Sequence, residues 1–265
     1  MRLKLANIYL IKKNFTSNAS RFANKFKTSL LFSKKHKKLA SFLLNNSGRS
    51  SQGKIIFRTR NSTKMKLKKI NINYYFKHLS LGFIASFVFL PYKNKIVSLI
   101  FFSSGAVCYY LGIDRSRIFS FFNSYYPKFL RRFNFKSSYA RLARIAKLSF
   151  VSCVEIVPGR GAQYMRSPGT SARLIKIDLP TNSCLLELPS GLKKIFSAYS
   201  FAFLSAVANH FHKKYYNGRA GYQKKFGINQ TVRGVAMNAV DHPHGGRTKS
   251  VKYQRTPWGK TAKLK

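Results

Sequence analysis

The chain has 265 residues, of which 50 are Lys or Arg and only 5 are Asp or Glu, a formal net charge of +45 at pH 7. That density of like charge works against a free compact monomer, so a polyanion (nucleic acid or an anionic membrane) must neutralise it. A freestanding soluble enzyme, which needs a basic pocket and not a basic chain, is not expected. Hydrophobic residues reach 45%, with 24 Phe and 15 Tyr, so there is material for a core. Three separated cysteines, Cys108, Cys153 and Cys184, make neither a disulfide framework nor a zinc site. Heavy use of Phe, Tyr, Ile, Asn and Lys is the bias of an AT-rich genome such as an organelle's.

Residues 1–46 are basic, rich in Ser and Asn, and free of acids, much as in a mitochondrial transit peptide. We expect a retained extension laid as a basic arm on a polyanion. Phe22, Phe26, Leu30 and Leu31 are spaced for an amphipathic helix. Next, GRSSQGKIIFRTR (48–60) predicts a basic, glycine-bearing loop leading into a strand.

Ile96–Ile113 is an uncharged run long enough to cross a membrane, which keeps an integral mitochondrial membrane protein with basic matrix tails as the alternative. However, Pro91–Lys95 and Ser103-Ser104-Gly105 interrupt the region as turns. The runs between them, Ile84–Leu90, Ile96–Phe102 and Ala106–Leu111, are β-branched and aromatic. They predict an antiparallel meander in a small barrel.

Ser138–Leu148, with a Ser cap and apolar Leu142, Ile145 and Leu148, predicts a short helix in a basic linker. From 150 to 205 short strands alternate with turns, predicting a second barrel. Beyond 206 the chain becomes Gly-rich, basic and aromatic, with a short helix expected near His210–Tyr216. Such a segment buries little of itself and takes its order from a partner.

Two stretches carry the chemistry. In PGRGAQYMRSPGTSARL, glycine- and proline-built turns present Arg160, Arg166 and Arg173. In the C-terminal segment, Arg219, Lys224, Lys225, Arg233 and Arg247 suit phosphate contacts, while Phe226, Tyr253 and Trp258 can stack on unpaired bases. Lone Asp241 in so basic a run implies a specific hydrogen bond or ion pair. Asp241-His242-Pro243-His244-Gly245-Gly246 lacks a nucleophile motif, and its alternating histidines lack a Cys or carboxylate set. Catalysis and metal binding are therefore set aside in favour of RNA contact and a rigid loop. A nuclease is disfavoured because no two acids lie close in sequence.

TVRGVAMNAVDHPHGG followed by TPWGK resembles the C-terminal signature of the universal large-subunit ribosomal protein L-two family. VEIVPGRGAQYMRSPGT resembles that family's entry to its second barrel, and GRSSQGKIIFRTR its loop before the first. The resemblance implies a mainly β fold: an OB-like barrel (47–117), a basic aromatic linker (118–149) and an SH3-like barrel (150–205). A basic extension at 1–46 and an extended rRNA-binding segment at 206–265 flank them.

It also implies a non-enzymatic constituent of the large subunit that binds large-subunit rRNA near the peptidyl-transferase region and supports subunit association and tRNA placement. Carried over by position, Arg49, Lys54, Arg58 and Arg60 join the contacts named above. Asn238, Asp241, His242, Pro243, His244, Gly245, Gly246 and Trp258 form the loop and its neighbours, with His242 the most sensitive. No cofactor is expected beyond Mg2+ belonging to bound rRNA, and no small-molecule substrate. The expected partners are rRNA, neighbouring mitoribosomal proteins and the small subunit across the intersubunit face. The chain departs from the family where Asn61-Ser62-Thr63-Lys64 replaces a Gly-Gly-Gly-His segment and where Arg247 follows two glycines instead of three. Its aromatic first barrel and basic arm point to the mitochondrial matrix.

Overall fold

A computed structural model describes residues 10–12, 16–20, 23–26, 37–42, 46–58, 68–76, 81–90, 93–114, 116–122, 139–214, 221–246, 251 and 253–261. The chain divides into two compact units, Met1–Leu43 with Leu67–Arg219, and Leu44–Lys66 with Ala220–Lys265.

In the larger unit, β1 (Leu10–Lys12) pairs antiparallel with β2 (Asn24–Phe26), and β3 (Ala40–Phe42) with β4 (Lys68–Ile70). The first large sheet has the order β7-β6-β5-β8, from β5 (Gly82–Leu90), β6 (Lys95–Phe102), β7 (Val107–Leu111) and β8 (Phe121–Phe122). Its centre is the uncharged run. Turns with positive φ at Asn94 and Gly105 divide that run as the sequence predicts. Most of β6 is buried, so it shows no apolar–polar alternation, the pattern of a strand covered on both faces. Ile96–Ile113 is thus mostly hairpin, and among the described residues no helix is long and apolar enough to cross a membrane.

The second sheet takes the order β15-β14-β13-β10-β16-β9. Its strands are β9 (Tyr139–Arg141), β10 (Phe150–Ser152), β13 (Ala172–Asp178), β14 (Ser183–Glu187), β15 (Lys193–Ser197) and β16 (Phe201–Leu204); β11 (Val154–Glu155) and β12 (Ala162–Tyr164) form a bulged pair beside it. The architecture is mainly β, an OB-like sheet followed by an SH3-like one, as expected.

Three expectations change. The helix predicted over Ser138–Leu148 is instead β9 followed by a 3-10 turn at Leu142–Arg144. Cross-strand pairing of Tyr139 with Phe203 and Ala140 with Ala202 outweighs the local pattern, although Leu142 and Ile145 are buried as their spacing implied. The helix through Phe22–Leu31 is strand over Asn24–Phe26; Phe22, Leu30 and Leu31 lie outside the described residues. Core residues also continue past 206. Val207 and Ala208 are buried, Ala208 N–H donates to Gly112 O at 2.8 Å, and Asn209 Nδ2 donates to Asn94 O at 2.8 Å. This short apolar pair has no periodicity to betray it. The short helix expected near His210–Tyr216 is present as a 3-10 helix at His210–Lys214.

An aromatic cluster joins the two sheets within this unit. Phe76 packs against Tyr139 and Phe203, and Phe122 against Phe102, Tyr110, Tyr139 and Phe203, with centroids 5.1–6.2 Å apart. A second core of Leu142, Val151, Leu174, Leu186 and Phe196 fills the SH3-like sheet.

Candidate nucleic-acid interface

Between β11 and β12 the chain makes a turn, Val157-Pro158-Gly159-Arg160, closed by Arg160 N–H to Val157 O at 3.1 Å. Proline sets the second position and Gly159, at φ +79°, supplies the positive φ that a type II turn needs at its third. Residues 156–160 are exposed, Arg160 among them. Beneath the loop Glu155 is 1% exposed, and its carboxylate accepts N–H bonds from Gly159 (3.2 Å), Gly161 (3.1 Å) and Phe201 (3.1 Å). A Cβ on Gly161 would stand 3.1 Å from Tyr74 O, so glycine permits that close approach. Exposed Arg166 lies over the Tyr74 ring at 5.0 Å, and Arg173 is exposed between buried Ala172 and Leu174 on β13.

The smaller unit carries the other set. Lys224 and Lys225 end a one-turn helix, α1 (Gly221–Lys225), and are exposed, as is Arg233. The following loop folds on itself: Asp241 and His242 N–H groups donate to Asn238 O, Gly245 N–H to His242 O, and Gly246 N–H to Met237 O. Val240, at 97% exposure, marks its tip; Asp241 and Pro243 are exposed beside it, and His242 is buried.

His242 Nδ1 accepts the His244 backbone N–H at 3.0 Å, and His244 Nε2 accepts the Arg255 N–H at 2.7 Å. An imidazole nitrogen that accepts is unprotonated, so this geometry assigns the proton of neutral His242 to Nε2 and that of His244 to Nδ1. Gly234 makes room for the arrangement, since a Cβ there would come within 2.6 Å of the His242 ring. Also in this unit, Arg58 lies over Trp258 at 5.2 Å, Arg49 Nη1 donates to Gly53 O at 3.0 Å, and Lys54 is exposed.

A family model described as Ribosomal Proteins L2, C-terminal domain, matches residues 136–259. The large ribosomal subunit protein uL2 of Bartonella bacilliformis is 33% identical over 236 residues, which cover 86% of this chain and 82% of that protein. The chain belongs to the uL2 family. The uL2 of Dichelobacter nodosus is 43% identical over 114 residues, 42% of this chain. The uL2m of Oryza sativa is 42% identical over 125 residues, 46% of this chain. In these two matches the chain spans 41% and 24% of the relative's length.

The family-model match takes in the SH3-like sheet, the Arg160 turn and the His242 loop of this uL2 chain. Arg60, Arg219 and Arg247 lie outside the described residues. The predicted residues fall into two sets: Arg160, Arg166 and Arg173 in the larger unit, and the remaining described ones in the smaller.

The acids stand apart from one another, and the hydrogen bond or ion pair expected of the Asp241 carboxylate is not found among the described residues, where its side chain is exposed. Asp114 Oδ2 lies 3.2 Å from His210 Nε2, Asp178 Oδ1 2.8 Å from Lys176 Nζ, and Glu187 stands opposite Lys193 in the ladder. Sequence reasoning passed over Glu155 and Gly234. The first had a signal, a lone carboxylate inside the apolar run Cys153-Val154-Glu155-Ile156-Val157. The second had none, because the close approach exists only once His242 folds back.

Proposed function

We propose that this uL2 chain is a non-catalytic, rRNA-binding constituent of a mitochondrial large subunit. Basic side chains neutralise phosphates, and the two β scaffolds hold loops in place against folded rRNA near the peptidyl-transferase region. The observation that carries the reading is the His242 loop, whose glycines and paired imidazoles hold a folded tip in the same unit as exposed Lys224, Lys225 and Arg233. Phosphate contacts from Arg49, Lys54, Arg58, Arg160, Arg166, Arg173, Lys224, Lys225 and Arg233 supply affinity and register. Neutral His242 offers an Nε2–H donor. In this reading RNA performs the chemistry and His242 positions it, Mg2+ enters only with the rRNA, and the small subunit and neighbouring ribosomal proteins are the other partners. The organelle-like composition and the similarity to a plant uL2m support the matrix location.

Sedimentation of an organelle lysate on a sucrose gradient, with the chain traced before and after RNase, tests this. Co-migration with the large subunit that is lost on RNase treatment is expected. Migration with membrane vesicles, unchanged by RNase, would overturn it.

A further inference from the structure

We infer that Glu155 is the positioning residue of the Arg160 turn, holding an RNA-facing cation in place through backbone hydrogen bonds; the inference rests on the rRNA-binding reading. The chain has five acids, and this one is 1% exposed while the loop directly after it is exposed throughout. A buried carboxylate must find donors, because desolvation is costly and no apolar contact repays it. Among the described residues Glu155 finds three, and none is a cation: the N–H groups of Gly159 and Gly161 inside the turn and that of Phe201 at the start of β16.

The arrangement differs from a salt bridge in its consequence. A salt bridge to Arg160 would occupy the guanidinium and cancel its charge. Glu155 instead grips the backbone on either side of Arg160, leaving that side chain exposed. Two N–H anchors flanking one residue fix its Cα, and the third ties the turn to a strand of the sheet core. Gly161, pressed against Tyr74 O, and Ala162, whose N–H donates to Tyr74 O at 2.7 Å, secure the exit of the turn. The bulge between Val154 and Glu155 in the β11–β12 pair marks where the strand leaves its regular register at this carboxylate. Arg160 therefore meets its phosphate with little of its own backbone left to order, which favours binding by reducing the entropy lost on association.

The test is a double-mutant cycle on the full chain. Binding to a transcript of the mitochondrial large-subunit rRNA from the same organism is followed against salt, with excess tRNA as competitor. Arg160→Ala is expected to lower the salt slope by about one. Glu155→Gln, which keeps the size but replaces one acceptor oxygen by a donor, should lower it by the same amount. The double variant should show no further loss, whereas a merely structural role for Glu155 gives an effect additive with Arg160→Ala. Additivity, or an Arg160→Ala slope equal to that of the original chain, overturns the inference while leaving rRNA binding standing. Failure of the unsubstituted chain to prefer the transcript over tRNA removes the rRNA reading and the inference with it. Should Glu155→Gln not fold, hydrogen exchange on the unsubstituted chain decides. The Gly159 and Gly161 amides should be protected within an otherwise exposed loop, and their rapid exchange overturns the inference.

Discussion

One glycine and one cysteine environment show how single atoms set the candidate interface and the core. Gly234 is a requirement of space: a methyl group there would stand 2.6 Å from His242 Nδ1, the atom that accepts the His244 N–H. Gly234→Ala is therefore expected to push the ring aside, break that bond and cost about 1–3 kcal/mol, the usual penalty of overpacking. Loss of hydrogen-exchange protection at the His244 amide would report it, and an unchanged amide would contradict it.

Cys153 presents the opposite case, a polar atom enclosed in the core. Its residue adopts φ +51° and is fully buried, and burial pushes the thiol up to about 12. Because the folded value exceeds the ordinary 9.0, the neutral thiol's contribution to stability is complete below pH 9 and is lost as pH rises toward 12. Iodoacetamide at neutral pH should label Cys153 only after unfolding, and the urea midpoint should fall as the buffer is raised above pH 9. Labelling of the native chain at the rate of a free thiol would contradict this. The sequence showed three unpaired cysteines, but which of them the core encloses depended on long-range packing.

At the scale of elements, the strand–turn–strand pattern of the first sheet was legible because both of its signals are local. Turn residues at Asn94 and Gly105 and β-branched, aromatic runs between them require no distant partner to be recognised. Ser138–Leu148 was misread as a helix for the converse reason. Its apolar spacing suits a helix, and only β16, some 60 residues further along, makes it a strand and a 3-10 turn. Gly82 shows a tertiary demand of the same kind. It pairs with both Phe102 and Phe122, whose rings meet edge to face at 6.2 Å, and a Cβ there would stand 2.9 Å from Ile100 Cγ2 and Phe102 Cδ1. Gly82→Ala is expected to destabilise the larger unit by about 1–3 kcal/mol, seen as a lowered Tm. An unchanged Tm would mean that the aromatic cluster repacks freely.

For the whole molecule, +45 of net charge makes the environment part of the fold. A uL2 chain that contacts rRNA through six to ten phosphates should lose roughly 10³–10⁵ in affinity between 50 and 200 mM salt. Filter binding measures this, and a flat salt dependence would exclude counterion release as the main source of affinity. The sequence by itself determined the charge that calls for a polyanionic partner, the mainly β class, the order of the two barrels and the residue types of the loops, because charge, turn chemistry and motif are properties of neighbours along the chain. Only the tertiary structure decided that Glu155 anchors the Arg160 turn, that Gly234 accommodates His242, that Arg255 locks His244, and that residues 139–148 pair as strand and turn. Each of those depends on an atom brought from elsewhere in the chain to within a few ångströms, a distance that no local pattern encodes.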